Sequence, residues 1–228
     1  MTTSEAHFDR REMLMPHDMF RREFTLMPRL VRDVAAGDAA RAQIVADHIT
    51  GVSTVLHHHH RGEDEQGWPL LLERGQAEAA PLLELMERQH KEIEDAASEV
   101  DTATRVWRAS AASPDRDALA GAIDRLLPLL TGHMRTEEEH VVPLMERYIT
   151  AAEWNRMVQA GSADVDPESL PLAFGMAMYE GDPEIVDAAI ANMPPDARTI
   201  IRKLAVDAFA AHSERIHGTA TPPRSTEL

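Results

Sequence analysis

The chain contains no cysteine, which excludes disulfides and thiolate metal ligands. Aromatic residues make up only 4% of it, and no run of alternating β-branched and polar residues stands out, so the composition argues against a sheet protein. No apolar stretch approaches the ~20 residues that a membrane span needs. The first residues, Met1-Thr2-Thr3-Ser4-Glu5-Ala6-His7, carry no hydrophobic secretory segment, so a cytoplasmic location is expected. Basic side chains are scarce relative to acidic ones, 23 against 39, for a net charge of −16. A surface of that sign repels a nucleic-acid backbone, so neither nucleic acid nor membrane is an expected partner.

What is present favours helices. Apolar residues account for 43% of 228 positions, enough for a buried core, and Ala, Leu, Met, Glu and Arg are plentiful. Phe20, Phe24, Met27, Leu30, Val31 and Val34 recur at helical steps and predict a first helix over about residues 14–36, closed by Gly37 with Asp38 capping the next. A second helix is expected from Asp38 towards Arg61, interrupted by Gly62, Gly67 and Pro69, with a short continuation to Gly75. Pro81 suits the first turn of a third helix ending near Ala109. Ser113-Pro114-Asp115 starts a fourth, kinked by Pro128 and ending near Tyr148.

The expected fold is therefore all-α: an antiparallel up-down four-helix bundle over residues 12–148. A helical extension over 149–217 should follow, opening with a Thr150–Glu153 capping box. A loop is expected at 161–167. Beyond it the pattern predicts helices over 168–179, 182–191 and 196–217, then a disordered Pro- and Thr-rich tail at 218–228.

Histidine is the compositional oddity: twelve in all, four of them consecutive from His57 to His60. That run is half of an internal repeat. His17 and His90 are 73 residues apart, while His59 and His133, Glu63 and Glu137, and Pro69 and Pro143 are each 74 apart. Each half thus holds a helix with one His, a helix with His-x-x-x-Glu, and a proline six residues after the Glu. On a helix, residues i and i+4 share a face, so His59 with Glu63 and His133 with Glu137 are side-by-side N and O donors. Polar groups on the inner face of a bundle are costly unless satisfied. Four imidazoles and two carboxylates meeting at mid-bundle make a mixed N/O set suited to iron, manganese or zinc. Six ligands are too many for one tetrahedral zinc and fit two metals bridged by carboxylates and a solvent oxygen. His60 with Asp64 is the competing i,i+4 pair, and Glu94 is a further candidate ligand. His57, His58, His140, His48, His212 and His217 are expected to be structural or exposed.

This pattern resembles the hemerythrin-like HHE cation-binding family. The resemblance rests on His17-Asp18, His59-x-x-x-Glu63-Asp64 leading to Trp68-Pro69, His90, and His133-x-x-x-Glu137-Glu138 leading to Pro143. It implies a non-haem di-iron centre with an oxo or hydroxo bridge, Mn or Zn being substitutes. Glu63 and Glu137 would bridge the irons, with His17, His59, His90 and His133 as terminal ligands. It further implies O2, NO or peroxide as the small partner, with catalase- or peroxidase-like turnover as a candidate activity. The alternative is a non-catalytic iron or oxygen sensor whose C-terminal helices contact a partner; a homodimer is the other association considered. The sequence departs from the respiratory hemerythrins, which have His-x-x-x-His on the third helix, because His90 is followed by Glu94. Four imidazole ligands are then expected rather than five, which turns the reading from O2 carriage toward peroxide or NO chemistry.

Overall fold

Four helices close a ring around the polar repeat. They are α1 (Arg11–Arg32), α2 (Ala39–Gly62), α3 (Trp68–Ser110) and α4 (Ser113–Thr136) in a computed structural model that describes residues 6–163 and 166–228. Helix α1 packs on α2 and α4, and α3 packs on the same two, so each helix has two neighbours in the ring. Gly37 donates its N–H to the Ala111 carbonyl at 2.8 Å, which ties the α1–α2 connection to the α3–α4 connection at one end. At the other end the Phe8 N–H reaches the Ile149 carbonyl at 3.0 Å. Among the described residues the only β-type pairing is an isolated bridge between His7 and Thr150.

The apolar stripes form two separate clusters. Phe20, Phe24, Met27 and Val31 of α1 join Ile49, Val52, Ile93, Trp107, Leu119, Ile123 and Leu126 in the larger one. Met13, Trp68, Leu71, Leu83, Met86, Val141 and Met145 form the smaller one. On α1 and α3 the polar residues His17 and His90 fall between these two sets, and on α2 and α4 the polar residues lie where the run passes through its π turn from the larger set to Trp68 and Val141 of the smaller. The helices therefore meet a dry interior above and below a single polar layer.

The prolines six residues after each Glu have a common local effect. Glu63–Gly67 and Glu137–Val141 are π turns, in which the Trp68 N–H bonds to the Glu63 carbonyl and the Val142 N–H to the Glu137 carbonyl. Pro69 and Pro143 have no N–H to complete an ordinary α ladder, and a turn one residue wider absorbs the missing donor. The expected interruption at Gly62, Gly67 and Pro69 is thus a widened turn that never leaves the helix. Helix α5 (Val142–Tyr148) continues α4 in the same way.

The reversal between the second and third helical runs also differs from expectation. Pro81 lies inside α3, and the chain bends at Gly75 instead, where φ is −125° and ψ 26°. The Tyr148 ring occupies the space a side chain would need there, with Cε2 2.7 Å from the position of a Cβ. Two starts follow the expected chemistry: the Asp38 carboxylate accepts from the Arg41 N–H at 2.9 Å, and Thr150 and Glu153 form a reciprocal capping box. At α4 the cap position is Ala112, which bonds nothing by its side chain, and Ser113 is already helical.

The extension comprises α6 (Ala151–Ala163), α7 (Leu170–Met178), α8 (Pro183–Ala191), α9 (Pro195–Arg198) and α10 (Ile201–His217). Helix α6 runs through the first part of the loop expected at 161–167, of which residues 164–165 lie outside the described ones. The helix expected over 196–217 is divided at Thr199–Ile200. Helices α7 and α10 cross in direct backbone contact: a Cβ on Gly175 would lie 2.2 Å from the Ala205 carbonyl oxygen. The fully buried Arg22 of α1 reaches across to the Met176 carbonyl at 2.9 Å and to Glu180 at 2.6 Å. The tail expected to be disordered is bound instead. The Tyr179 hydroxyl donates to the Pro222 carbonyl at 2.9 Å, and Ser225 donates both its N–H and its hydroxyl to Glu180 at 2.7 Å. Its composition suits no long helix, yet it finds partners on the turn after α7 and ends in a single 3-10 turn over Ser225–Glu227. No helix among the described residues is long and apolar enough to cross a membrane.

The α7–α10 crossing makes a direct prediction. Gly175→Ala forces backbone apart and should destabilise the protein by about 1–3 kcal/mol. Thermal or urea unfolding should show the loss, and an unchanged midpoint would mean the two helices are not packed this closely.

Candidate metal centre

The polar layer is built from two i,i+4 pairs and three further imidazoles. His59 and Glu63 project from the end of α2 and its π turn, and His133 and Glu137 from the end of α4 and its π turn. His17 of α1 and His90 of α3 face them from the other two walls. All six residues expected as ligands meet in one place, and a seventh, His60, joins them.

The donors fall into two groups. In one, atoms of His60, Glu63, His90 and His133 lie within 4.8 Å of one another; in the other, atoms of His17, His59, Glu63 and Glu137 do. Glu63 belongs to both, and its two oxygens divide between them. Oε1 lies 3.0 Å from His59 Nε2, and Oε2 lies 3.5 Å from His90 Nε2. Glu137 also stands between the groups, with Oε2 3.3 Å from His17 Nε2 and 3.7 Å from His133 Nε2. Within each group two imidazoles turn their Nε2 atoms toward each other, His17 and His59 at 3.3 Å and His90 and His133 at 3.2 Å. His60 stacks on His90, ring centroids 4.2 Å apart.

All four oxygens of Glu63 and Glu137 are buried, and none accepts a hydrogen bond among the described residues. Burying a carboxylate without a donor costs several kcal/mol. A cation pair held between these oxygens removes that cost, and a mixed imidazole–carboxylate set fits such cations. The residues present therefore fit a two-metal centre.

The electrostatics of the protein side point the same way. Burial opposes charge on His17, yet Glu137 and Glu138 hold its pKa up at about 9. Burial likewise opposes charge on His90, while Asp64 and Glu63 hold it up at about 10. Burial, with His17 beside it, pushes His59 down to about 3, and burial with the neighbouring His90 pushes His60 well down. Burial also takes His133 down to about 4. Burial and the facing Glu137 push Glu63 up to about 8, whereas His17 holds Glu137 low against its burial. The raised values of His17, His90 and Glu63 show a layer that draws in protons, the same kind of charge that a cation would bring.

Several site residues escaped the spacing argument. The His17 Nδ1 is held by Glu138 at 2.7 Å, and the His90 Nδ1 by Asp64 at 2.8 Å. Each is the acid immediately after a repeat Glu, so the two halves orient each other's lone His. That doubling is the sequence signal. Arg21 steadies Glu138 at 2.7 Å, and Gln89 faces His133 Nδ1 at 3.3 Å. Asp64, the partner of His60 in the competing i,i+4 pair, holds His90 instead. The expected choice between His59 and His60 is corrected: both line the layer, so five imidazoles converge rather than four. Glu94 does not reach it; its exposed side chain pairs with Lys91 at 3.3 Å. His57 and His140 are exposed, while His48, His212 and His217 lie elsewhere.

Comparison with curated proteins and with solved structures finds no match. The sequence does match the description "Hemerythrin HHE cation binding domain" over residues 9–145. That span is more than half of the chain and contains every residue of the polar layer, and the chain belongs to that family of cation-binding helical domains.

Proposed function

We propose that the chain is a non-haem di-iron protein whose iron pair binds O2 or NO or reacts with peroxide. The observation that supports this reading most directly is Glu63: a buried carboxylate that accepts no regular hydrogen bond among the described residues and turns one oxygen toward each histidine group. In this reading Glu63 and Glu137, which stand between the two donor groups, would be shared by the pair, with His60, His90 and His133 holding it on one side and His17 and His59 on the other. Iron bound there supplies redox electrons and a coordination position for a small ligand.

The protein's own contributions follow from its packing. Asp64 and Glu138 fix the rings of His90 and His17 by their Nδ1 atoms, leaving Nε2 for metal. Phe20 and Trp68 lie against His59 and His90 and belong to the apolar clusters that keep bulk water from the layer. The His17–His59 group would offer a metal fewer imidazoles than the His60, His90 and His133 group. The end contacts at Gly37–Ala111 and Phe8–Ile149 support an antiparallel up-down order for the four helices.

A second reading, a non-catalytic sensor, draws support from α10, where Leu204 is about half exposed one turn from the exposed Ile200, with Val206 half exposed on another face. In that case iron stabilises the bundle and the extension meets a partner.

Purified protein should carry about two irons per chain, with an ultraviolet charge-transfer absorption that changes on adding azide or peroxide. Peroxide turnover measured with an oxygen electrode separates the two readings, and retention of no metal sinks both. Glu63→Ala and Glu137→Ala should each abolish binding of the pair. Asp64→Asn and Glu138→Gln should leave the fold intact and weaken metal binding by about 10–100-fold. Titration against a competing chelator reads that loss; wild-type affinity in both variants would deny them an orienting role.

A further inference from the structure

A second buried polar cluster lies away from the metal centre, where α10 meets the ring. Glu23 of α1 and His48 of α2 are buried, 1% and 3% exposed, and His212 and His217 of α10 close over them. Arg22 binds Glu23 at 2.7 Å. His48 Nε2 lies 3.3 Å from Glu23 Oε2, His217 Nε2 3.8 Å from the same oxygen, and His48 Nδ1 3.0 Å from His212 Nε2. Arg215 points an N–H at His212 Nδ1 from 3.4 Å. Arg41 of α2 donates to the Arg215 and Ile216 carbonyls at the end of α10. On the far side of Arg22, Glu180 completes the set of charged groups facing this interface.

We propose that Glu23, His48, His212 and His217 form a proton-sensitive latch that holds α10 on the ring at neutral pH and releases it on acidification. The argument is a count of protons. The His48–His212 contact has room for one hydrogen. One arrangement satisfies every neighbour: Arg215 donates to His212 Nδ1, the His212 Nε2–H donates to His48 Nδ1, and the His48 Nε2–H faces Glu23. Both rings are then neutral. A proton added to His212 goes to Nδ1 and sets two N–H donors against each other, because an Arg215 N–H already points at that atom from 3.4 Å. A hydrogen on both atoms of the His48–His212 contact would likewise set two N–H groups against each other at 3.0 Å. Released from the ring, both imidazoles are free to protonate.

Protons have a route in. A surface groove of about 330 Å³, lined by Asp33, Arg41, Glu214, Arg215 and His217, opens beside the cluster. The same residue types do not make a third cation site, because Arg22 already neutralises Glu23 and the donor atoms do not gather as those of the metal centre do.

The sign follows from linkage. In the docked state burial and the neighbouring His48 hold His212 down to about 4, against 6.5 when free. The released form therefore takes up the proton first. Docking is at full strength above about pH 6.5 and fades as pH falls toward 4. One excluded proton of this size favours release about thirtyfold at pH 5 relative to pH 7.5.

Hydrogen–deuterium exchange on the full-length, iron-loaded protein tests this. After correction for intrinsic rates, peptides covering 201–217 should exchange about thirtyfold faster at pH 5 than at pH 7.5, while peptides covering 119–130 stay protected. His212→Gln keeps a donor toward His48 and removes the titration, so its α10 exchange should change less than threefold between the same pH values. Equal protection of wild-type α10 at both pH values overturns the latch, whether or not the variant folds. So does a parallel loss of protection in 119–130, which marks general loosening, or a full pH effect retained in His212→Gln.

Discussion

Two carboxylates buried without hydrogen-bond donors set the terms for this fold. Glu63 and Glu137 sit where the apolar stripes of four helices are interrupted, and among the described residues their oxygens face only imidazole nitrogens and accept no regular hydrogen bond. A helix ring can keep such groups at its waist only if opposite charge arrives from outside or from protons on neighbouring imidazoles. The two apolar clusters on either side supply the compensating burial. The π turns place each Glu at the start of a widened turn, directly before the proline that prevents the helix from closing normally. Site and scaffold are thus one constraint: the same two residues that would hold metal mark where the helical ladder is loosened.

Much of this could be read before the structure. The recurrence of Phe20, Phe24, Met27 and Val31 at helical steps located the inner face of α1, and the 74-residue repeat located the site. What escaped was phase. Three adjacent histidines, His58, His59 and His60, sweep most of the way around one helical turn, and spacing to a single Glu selects only one of them. The structure admits both His59 and His60 because the layer they face spans two donor groups, one on each side of Glu63. Glu94 failed for the complementary reason. It lies one turn beyond His90, yet its side chain points out to Lys91. The carboxylates that orient His17 and His90 come from other helices, and contacts of that kind have no signature along a single helix.

The extension was the least legible part because its packing depends on long-range polar contacts rather than periodicity. Nothing local to Pro222 or Ser225 announces that Tyr179 and Glu180 will bind them. Glycine and proline mark breaks, but they do not reveal whether a break becomes a loop, a kink or a π turn. Gly75 became the bend because the Tyr148 ring leaves no room for a side chain, whereas Pro81 was absorbed within the helix.

The repeat is most informative where it fails. Shifting His60 by the 74-residue period lands on Met134, which is buried at 1% exposure in the larger apolar cluster. The two halves therefore match in every position of the layer except one. A fully matched duplication would give two equivalent donor groups, each with two imidazoles and a share of both carboxylates. The unmatched His60 gives one group a third imidazole and leaves the other with two. A single residue outside the repeat thus makes an otherwise nearly symmetric set of donors unequal.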